Sequence, residues 1–80
     1  MKRLAIFGAG GHGKVVAEIA HLSGWSDIVF FDDNDRNTKL ENWPIQGNLK
    51  KFLNSSKDYD GSFVAIGDNQ IRLQIVKLLL

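Results

Sequence analysis

Leu4-Ala5-Ile6-Phe7-Gly8-Ala9-Gly10-Gly11-His12-Gly13 decides the fold of this 80-residue chain. Four apolar residues run without alternation into a glycine-rich turn, and a helical pattern starts directly behind it. Strand, glycine turn and helix start in that order form a cradle whose backbone N–H groups hold phosphate. Working outward, the apolar run recurs at Ile28 to Phe31 and at Phe63 to Ile66. Short continuous runs bounded by turn residues suit parallel strands covered on both faces.

Between the first two runs, Lys14 to Leu22 carries Val15, Val16, Ile19, Ala20 and Leu22 at helical spacing, and Ser23-Gly24 provides a stop. Asn34 to Asn42 is polar and reads as a loop. Trp43-Pro44-Ile45 reads as a short extended piece, at an edge because Pro44 has no N–H. Asn48 caps a helix running to Ser55, with Leu49, Phe52 and Leu53 on its buried side. Ser56 to Gly61 is a turn. Asp68 or Asn69 caps a last helix with Ile71, Ile75, Val76, Leu78 and Leu79 apolar. The expected fold is α/β: a small Rossmann-like parallel sheet of about four strands, order 3-2-1-4, with helices on both faces.

Composition sets the outer limits. With 44% apolar and 24% charged residues the chain is an ordinary globular domain with one modest core. The net charge of +1, with lysines and arginines scattered, gives no nucleic-acid footprint. The absence of cysteine excludes disulfides, thiolate ligands and thiol nucleophiles, and fits a cytoplasmic location. No apolar run approaches the roughly 18 residues of a membrane span. The two histidines lack metal-ligand spacing. Lys77-Leu78-Leu79-Leu80 leaves leucines at an uncapped helix end, which reads as a fragment whose last helix is covered by something downstream.

In an open parallel sheet, ligands sit outside the C-terminal strand tips where the strand order reverses. That places a crevice between the strand ending at Phe7 and the one ending at Ile66. Gly10, Gly11, His12 and Gly13 form one lip, and Gly67, Asp68 and Asn69 the other. Asp32 and Asp33 stand at the tip of the middle strand, where an acid commonly meets a ribose or a base. Each element has a plainer reading: glycines for tight packing, aspartates in a solvated turn, Asp68 as a helix cap. His12 either donates to a phosphate oxygen or packs over the loop. Lys14 is within reach of a phosphate or is solvated, and Arg72 suits an ion pair or a domain contact. On the residues alone, a nucleotide sugar, NAD in an oxidoreductase half, and a non-binding module with the same fold all remain open.

Gly8-Ala9-Gly10-Gly11-His12-Gly13-Lys14-Val15-Val16, Phe31-Asp32-Asp33-Asn34, and Ala65-Ile66-Gly67-Asp68-Asn69 with Arg72 together resemble a known family. It is the N-terminal domain of bacterial nucleotide-amino-sugar N-acetyltransferases and sialic acid O-acetyltransferases (PglD/NeuD-like). The likeness spans essentially all 80 residues. It implies that this domain holds a UDP-linked amino sugar, with Gly11, His12 and Gly13 near the phosphates and Asp32 and Asp33 near the uridine. It further implies a C-terminal left-handed β-helix, absent from this chain, which trimerises, binds acetyl-CoA and supplies the histidine base. Catalytic residues, metal and cofactor are therefore expected in none of the 80 positions, and the chain alone is expected not to transfer acetyl groups.

Overall fold

The computed structural model describes residues 2–34 and 39–79. Strand β1 (Arg3–Phe7) leads into helix α1 (Gly11–Leu22), and β2 (Asp27–Phe31) follows. A two-residue pair, β3 (Lys39–Leu40) and β4 (Trp43–Pro44), precedes α2 (Leu49–Ser55) and a 3-10 turn at Ser56–Asp58. Strand β5 (Gly61–Val64) and helix α3 (Asn69–Leu79) complete the described chain.

The sheet is parallel, with hydrogen-bonded order β2-β1-β5. Its register places Phe7 opposite both Phe31 and Val64, so the three tips end together. The expected third position beside β2 is occupied, but by less than a strand. Ile45 makes a single parallel bridge to Phe30, while Trp43–Pro44 pairs antiparallel with Lys39–Leu40. Pro44 accounts for this, since it has no N–H to extend a ladder. The polar loop reading holds in part: Lys39–Leu40 is a strand, and residues 35–38 lie outside the described residues. The last strand starts two residues earlier than its apolar run, at Gly61, where the ladder with Leu4 begins.

Alternation along each strand divides the core in two. Leu4, Ile6, Ile28 and Phe30 meet Ala17 and Ala20 of α1 on one face. Ala5, Phe7, Val29, Phe31 and Val64 meet Phe52 of α2 and Ile75 of α3 on the other. Apolar runs therefore need no polar alternation, because both faces are covered. Phe52 is fully buried, with its ring centroid 5.5 Å from those of Phe7 and Phe31. A buried aromatic of this kind contributes roughly 1.5–3 kcal/mol through its area alone.

The packing stripe of α1 differs from the one its bulky residues suggest. Gly13, Ala17 and Ala20 face the sheet, while Val15, Ile19 and Leu22 are exposed, Ile19 at 59%. Small residues at i, i+4 and i+7 let the helix axis approach the strands closely, and the bulky positions are turned outward. On α3, Ile75 is buried, whereas Ile71, Leu73 and Leu78 are exposed, the last at 65%. Trp25 and Trp43 cover core edges, as expected.

Candidate functional site

Gly8 is forced on the loop by its backbone. Its φ of +110° is left-handed territory, and a Cβ there would stand 2.6 Å from the Ala65 carbonyl oxygen. Its N–H donates to the Phe31 carbonyl at 2.8 Å, which ties the loop to the β2 tip. Gly13 is forced by packing: its Cβ would fall 2.0 Å from the Gly8 carbonyl oxygen. Gly10 and Gly11 have nothing within 4 Å of such a Cβ. The first two glycines thus seat the helix against the sheet, and the other two leave open space above the backbone.

The first intrahelical bond of α1 runs from Lys14 N–H to the Gly10 carbonyl at 3.0 Å. The N–H groups of Gly11, His12 and Gly13 come before it, so the helix itself supplies them no acceptor. Gly10, Gly11 and His12 are exposed, and Gly10 makes no side-chain cap bond. The positive end of the helix dipole adds to this donor set. The ammonium of Lys14, one step further on, lies 2.8 Å from the Glu41 carboxylate, whose hydrogen bond and charge raise the lysine's pKa.

The two aspartates at the β2 tip have different partners. Asp32 Oδ2 accepts from Ala9 N–H at 2.7 Å, and Asp32 Oδ1 accepts from Asn34 N–H at 2.8 Å. Asp33 Oδ1 accepts from Leu49 N–H at 2.9 Å, at the start of α2. A polar cleft of about 160 Å3 lies among Ala9, Gly10, Asp32, Asn34 and Ile45. On the other face a more apolar groove of about 380 Å3 runs between α2 and α3, with Asp32, Asp33 and Ile66 in its wall.

The second lip is a cap in this structure. Asp68 Oδ1 accepts from Gln70 N–H at 2.9 Å and from Ile71 N–H at 3.1 Å, starting α3. Gly67, Asp68 and Asn69 are exposed and follow the β5 tip, next to β1. The glycine loop and the β2 tip are thus joined by a direct hydrogen bond, while the β5 lip is brought alongside by strand order. Arg72 lines a larger cavity, about 700 Å3, beside β5 with Tyr59, Ser62 and Val76.

The opposite end of the sheet holds a polar clasp that the sequence reading did not single out. Arg3 Nε donates to Asp27 Oδ2 at 2.8 Å, Arg3 Nη1 to the Asp58 carbonyl at 3.0 Å, and the guanidinium lies 4.6 Å over the Tyr59 ring. Burial raises the pKa of the Tyr59 phenol, partly offset by Arg3 and reinforced by Asp27 and Asp58. Among the described residues there is no cluster of potential metal ligands and no helix long and apolar enough to cross a membrane.

Comparison with known proteins agrees with this fold. The family model described as "PglD N-terminal domain" matches residues 3–79. The acetyltransferase domain of PglB from Neisseria gonorrhoeae FA1090, solved in complex with acetyl coenzyme A, superposes with a TM-score of 0.82 at 42% identity. That match covers 98% of this chain and 38% of the solved one. A second structure of the same domain gives 0.80 at 38% identity, over 99% and 39% of the two chains. The chain thus spans less than two-fifths of the length of these relatives. A glycine loop, an acidic β2 tip and a match running from Arg3 to Leu79 together place the chain in the PglD N-terminal domain family.

Proposed function

We propose that this domain binds the UDP-linked amino sugar of a sugar acetyltransferase, in the cytoplasm, as one step of bacterial glycan biosynthesis. One observation carries the reading: the N–H groups of Gly11, His12 and Gly13 precede the first helical bond, and nothing among the described residues stands within 4 Å of where a Cβ of Gly10 or Gly11 would lie. A diphosphate is an anion with several acceptor oxygens, and such donors at a helix N-terminus suit it. His12 adds a ring N–H at the same lip. Asp32 and Asp33 border the nucleoside, and Gly67, Asp68 and Asn69 border the far side.

Acetyl transfer itself belongs to the rest of the protein. A general base must lie within hydrogen-bond reach of the proton it removes, and the reading assigns that base and the acetyl-CoA site to a C-terminal β-helix in a homotrimer. The exposed apolar residues Ile71, Leu73 and Leu78 on α3 support a docking face for such a domain.

The test is a titration of the 15N-labelled chain with UDP, a UDP-amino sugar, NAD and acetyl-CoA. The reading expects saturable shifts with UDP and the UDP-sugar at residues 10–13, 32–33 and 67–69. Saturation by NAD without UDP would move the assignment to an oxidoreductase half, and no response to any nucleotide would leave a non-binding module.

A further inference from the structure

Asp32 stands at the β2 tip where the nucleoside is expected, yet its carboxylate is already turned to the protein's own backbone. We infer that Asp32 is a positioning residue: it fixes the glycine loop through the Ala9 N–H and acts on the ligand through that loop. The inference deepens the nucleotide-binding reading and rests on it for the ligand arm of the test.

Five hydrogen bonds carry it. Asp32 Oδ2 accepts from Ala9 N–H at 2.7 Å, within the short range typical of charge-assisted bonds. Its other oxygen is held by Asn34 N–H at 2.8 Å, so the plane of the carboxylate is set from both sides. The Asp32 backbone is itself clamped. Its own N–H donates to the Gly47 carbonyl at 2.8 Å, and the neighbouring Phe31 carbonyl accepts from Gly8 N–H at 2.8 Å. The segment around Ile45, too short to make a full strand, therefore has a purpose: with Gln46 N–H on the Phe30 carbonyl at 2.9 Å, it braces the strand tip from which Asp32 reaches the loop.

The loop needs such a brace. Gly8 and Gly10 lack side chains, and Gly10 has nothing packed at its Cβ position. Between Gly8, bonded to Phe31, and the first helical bond at Lys14, the Ala9 N–H is, among the described residues, the one backbone donor tied to another element. Releasing it frees the residues that aim the N–H groups of Gly11, His12 and Gly13. A site whose donors are held in place gains affinity chiefly because less ordering remains to be done on binding.

Electrostatics sharpens the distinction. A carboxylate near a bound diphosphate repels it, so removing the charge by Asp32→Asn should tighten inorganic pyrophosphate if charge alone mattered. A ribose contact would weaken UDP and spare pyrophosphate. A positioning role weakens both.

The experiment compares wild type, Asp32→Asn and Asp27→Asn, the last at the far end of the same strand, by 15N NMR and by titration with UDP and with inorganic pyrophosphate. In Asp32→Asn the Ala9 amide proton should move upfield. The amides of Gly10 to Gly13 should shift and exchange about ten-fold faster or more, and both ligands should weaken by a similar factor, about ten-fold. Asp27→Asn should leave the loop amides in place. Unmoved Ala9 and Gly10–Gly13 amides in Asp32→Asn would overturn the inference, and so would weaker UDP with unchanged or tighter pyrophosphate. If the wild type binds neither ligand, the nucleotide reading falls, and the amide response alone decides the role of Asp32.

Discussion

Replacing Gly13 by alanine puts one methyl group where the structure has a carbonyl oxygen. The added Cβ would lie 2.0 Å from the Gly8 oxygen, 3.1 Å from the Gly8 carbonyl carbon and 3.2 Å from Phe30 Cε1. An ordinary contact is roughly 3.5 Å, so helix and loop must part by more than about 1 Å. Gly8 has little freedom to yield, since its N–H is bonded to the Phe31 carbonyl and the Ala65 carbonyl fills the place where its Cβ would stand. Overpacking of this kind costs about 1–3 kcal/mol when side chains can adjust. Here the obstacle is backbone, so the upper end applies, less about 1 kcal/mol that alanine returns as the better helix former. A net loss of about 2 kcal/mol is a large share of the roughly 4–12 kcal/mol expected for 80 residues. In a domain this small it corresponds to a fall in Tm of roughly 8–16 °C. Gly11→Ala is the companion variant. Nothing lies within 4 Å of its new methyl, so stability should hold or rise by up to about 1 kcal/mol, while UDP binding weakens because the methyl stands over the donors. Circular-dichroism melts and urea titrations of the two variants decide the matter. A Gly13→Ala protein melting within about 2 °C of wild type, or a Gly11→Ala protein just as unstable, would refute the division of the four glycines into seating and opening pairs.

Phe52→Ala removes a fully buried ring from between Phe7 and Phe31 and should cost about 3–5 kcal/mol, read as loss of the cooperative urea transition or a much lower midpoint. Asp68→Ala should cost about 0.5–2 kcal/mol as a lost helix cap and Asp68→Asn much less; equal losses in both would argue against capping as its main structural role. Tyr59 is the only tyrosine, so its phenolate absorbance near 295 nm reports one group. Its midpoint should lie above 10 in the folded protein and return to about 10 in denaturant. Because the folded state favours the neutral phenol, that contribution to stability is complete below pH 10 and disappears as pH rises through the raised value. A folded midpoint at or below 10 would contradict the burial that raises it.

How far the residues alone reach depends on whether an interaction is set by area or by distance. The first two strands were legible because burial on both faces leaves an unbroken apolar run, at Leu4 to Phe7 and Ile28 to Phe31, whereas the run Phe63 to Ile66 overlaps its strand only at Phe63 and Val64, and Phe63 is exposed at that edge. The cap at Asn48 was legible, and the second was narrowed to Asp68 or Asn69, because short polar side chains before an apolar period have one favoured use; the structure selects Asp68. The packing face of α1 was not. The helical spacing selects Val15, Val16, Ile19, Ala20 and Leu22, of which Ala20 is buried and Val16 packs at the core edge, but the helix sits at a distance set by Gly13 against the Gly8 carbonyl, and there Gly13, Ala17 and Ala20 fit beneath it while Val15, Ile19 and Leu22 do not. The bulky residues face outward as a consequence of the glycine loop, so the exposed apolar face of α1 and the open donors at its N-terminus have a single cause. The same limit hides the Asp32 contact. An acid at the β2 tip is visible in the sequence, but whether it faces a ligand or an amide 23 positions earlier depends on how tightly the two tips are drawn together. That spacing is fixed by the Gly8-to-Phe31 bond and by the brace around Ile45, neither of which leaves a periodic mark in the chain. Lengthening the side chain at Ala17 should expose the coupling: Ala17→Leu would push α1 off the sheet and disturb the loop amides at Gly10–Gly13 from about one to two turns away. The same change at exposed Ile19 should leave those amides where they are.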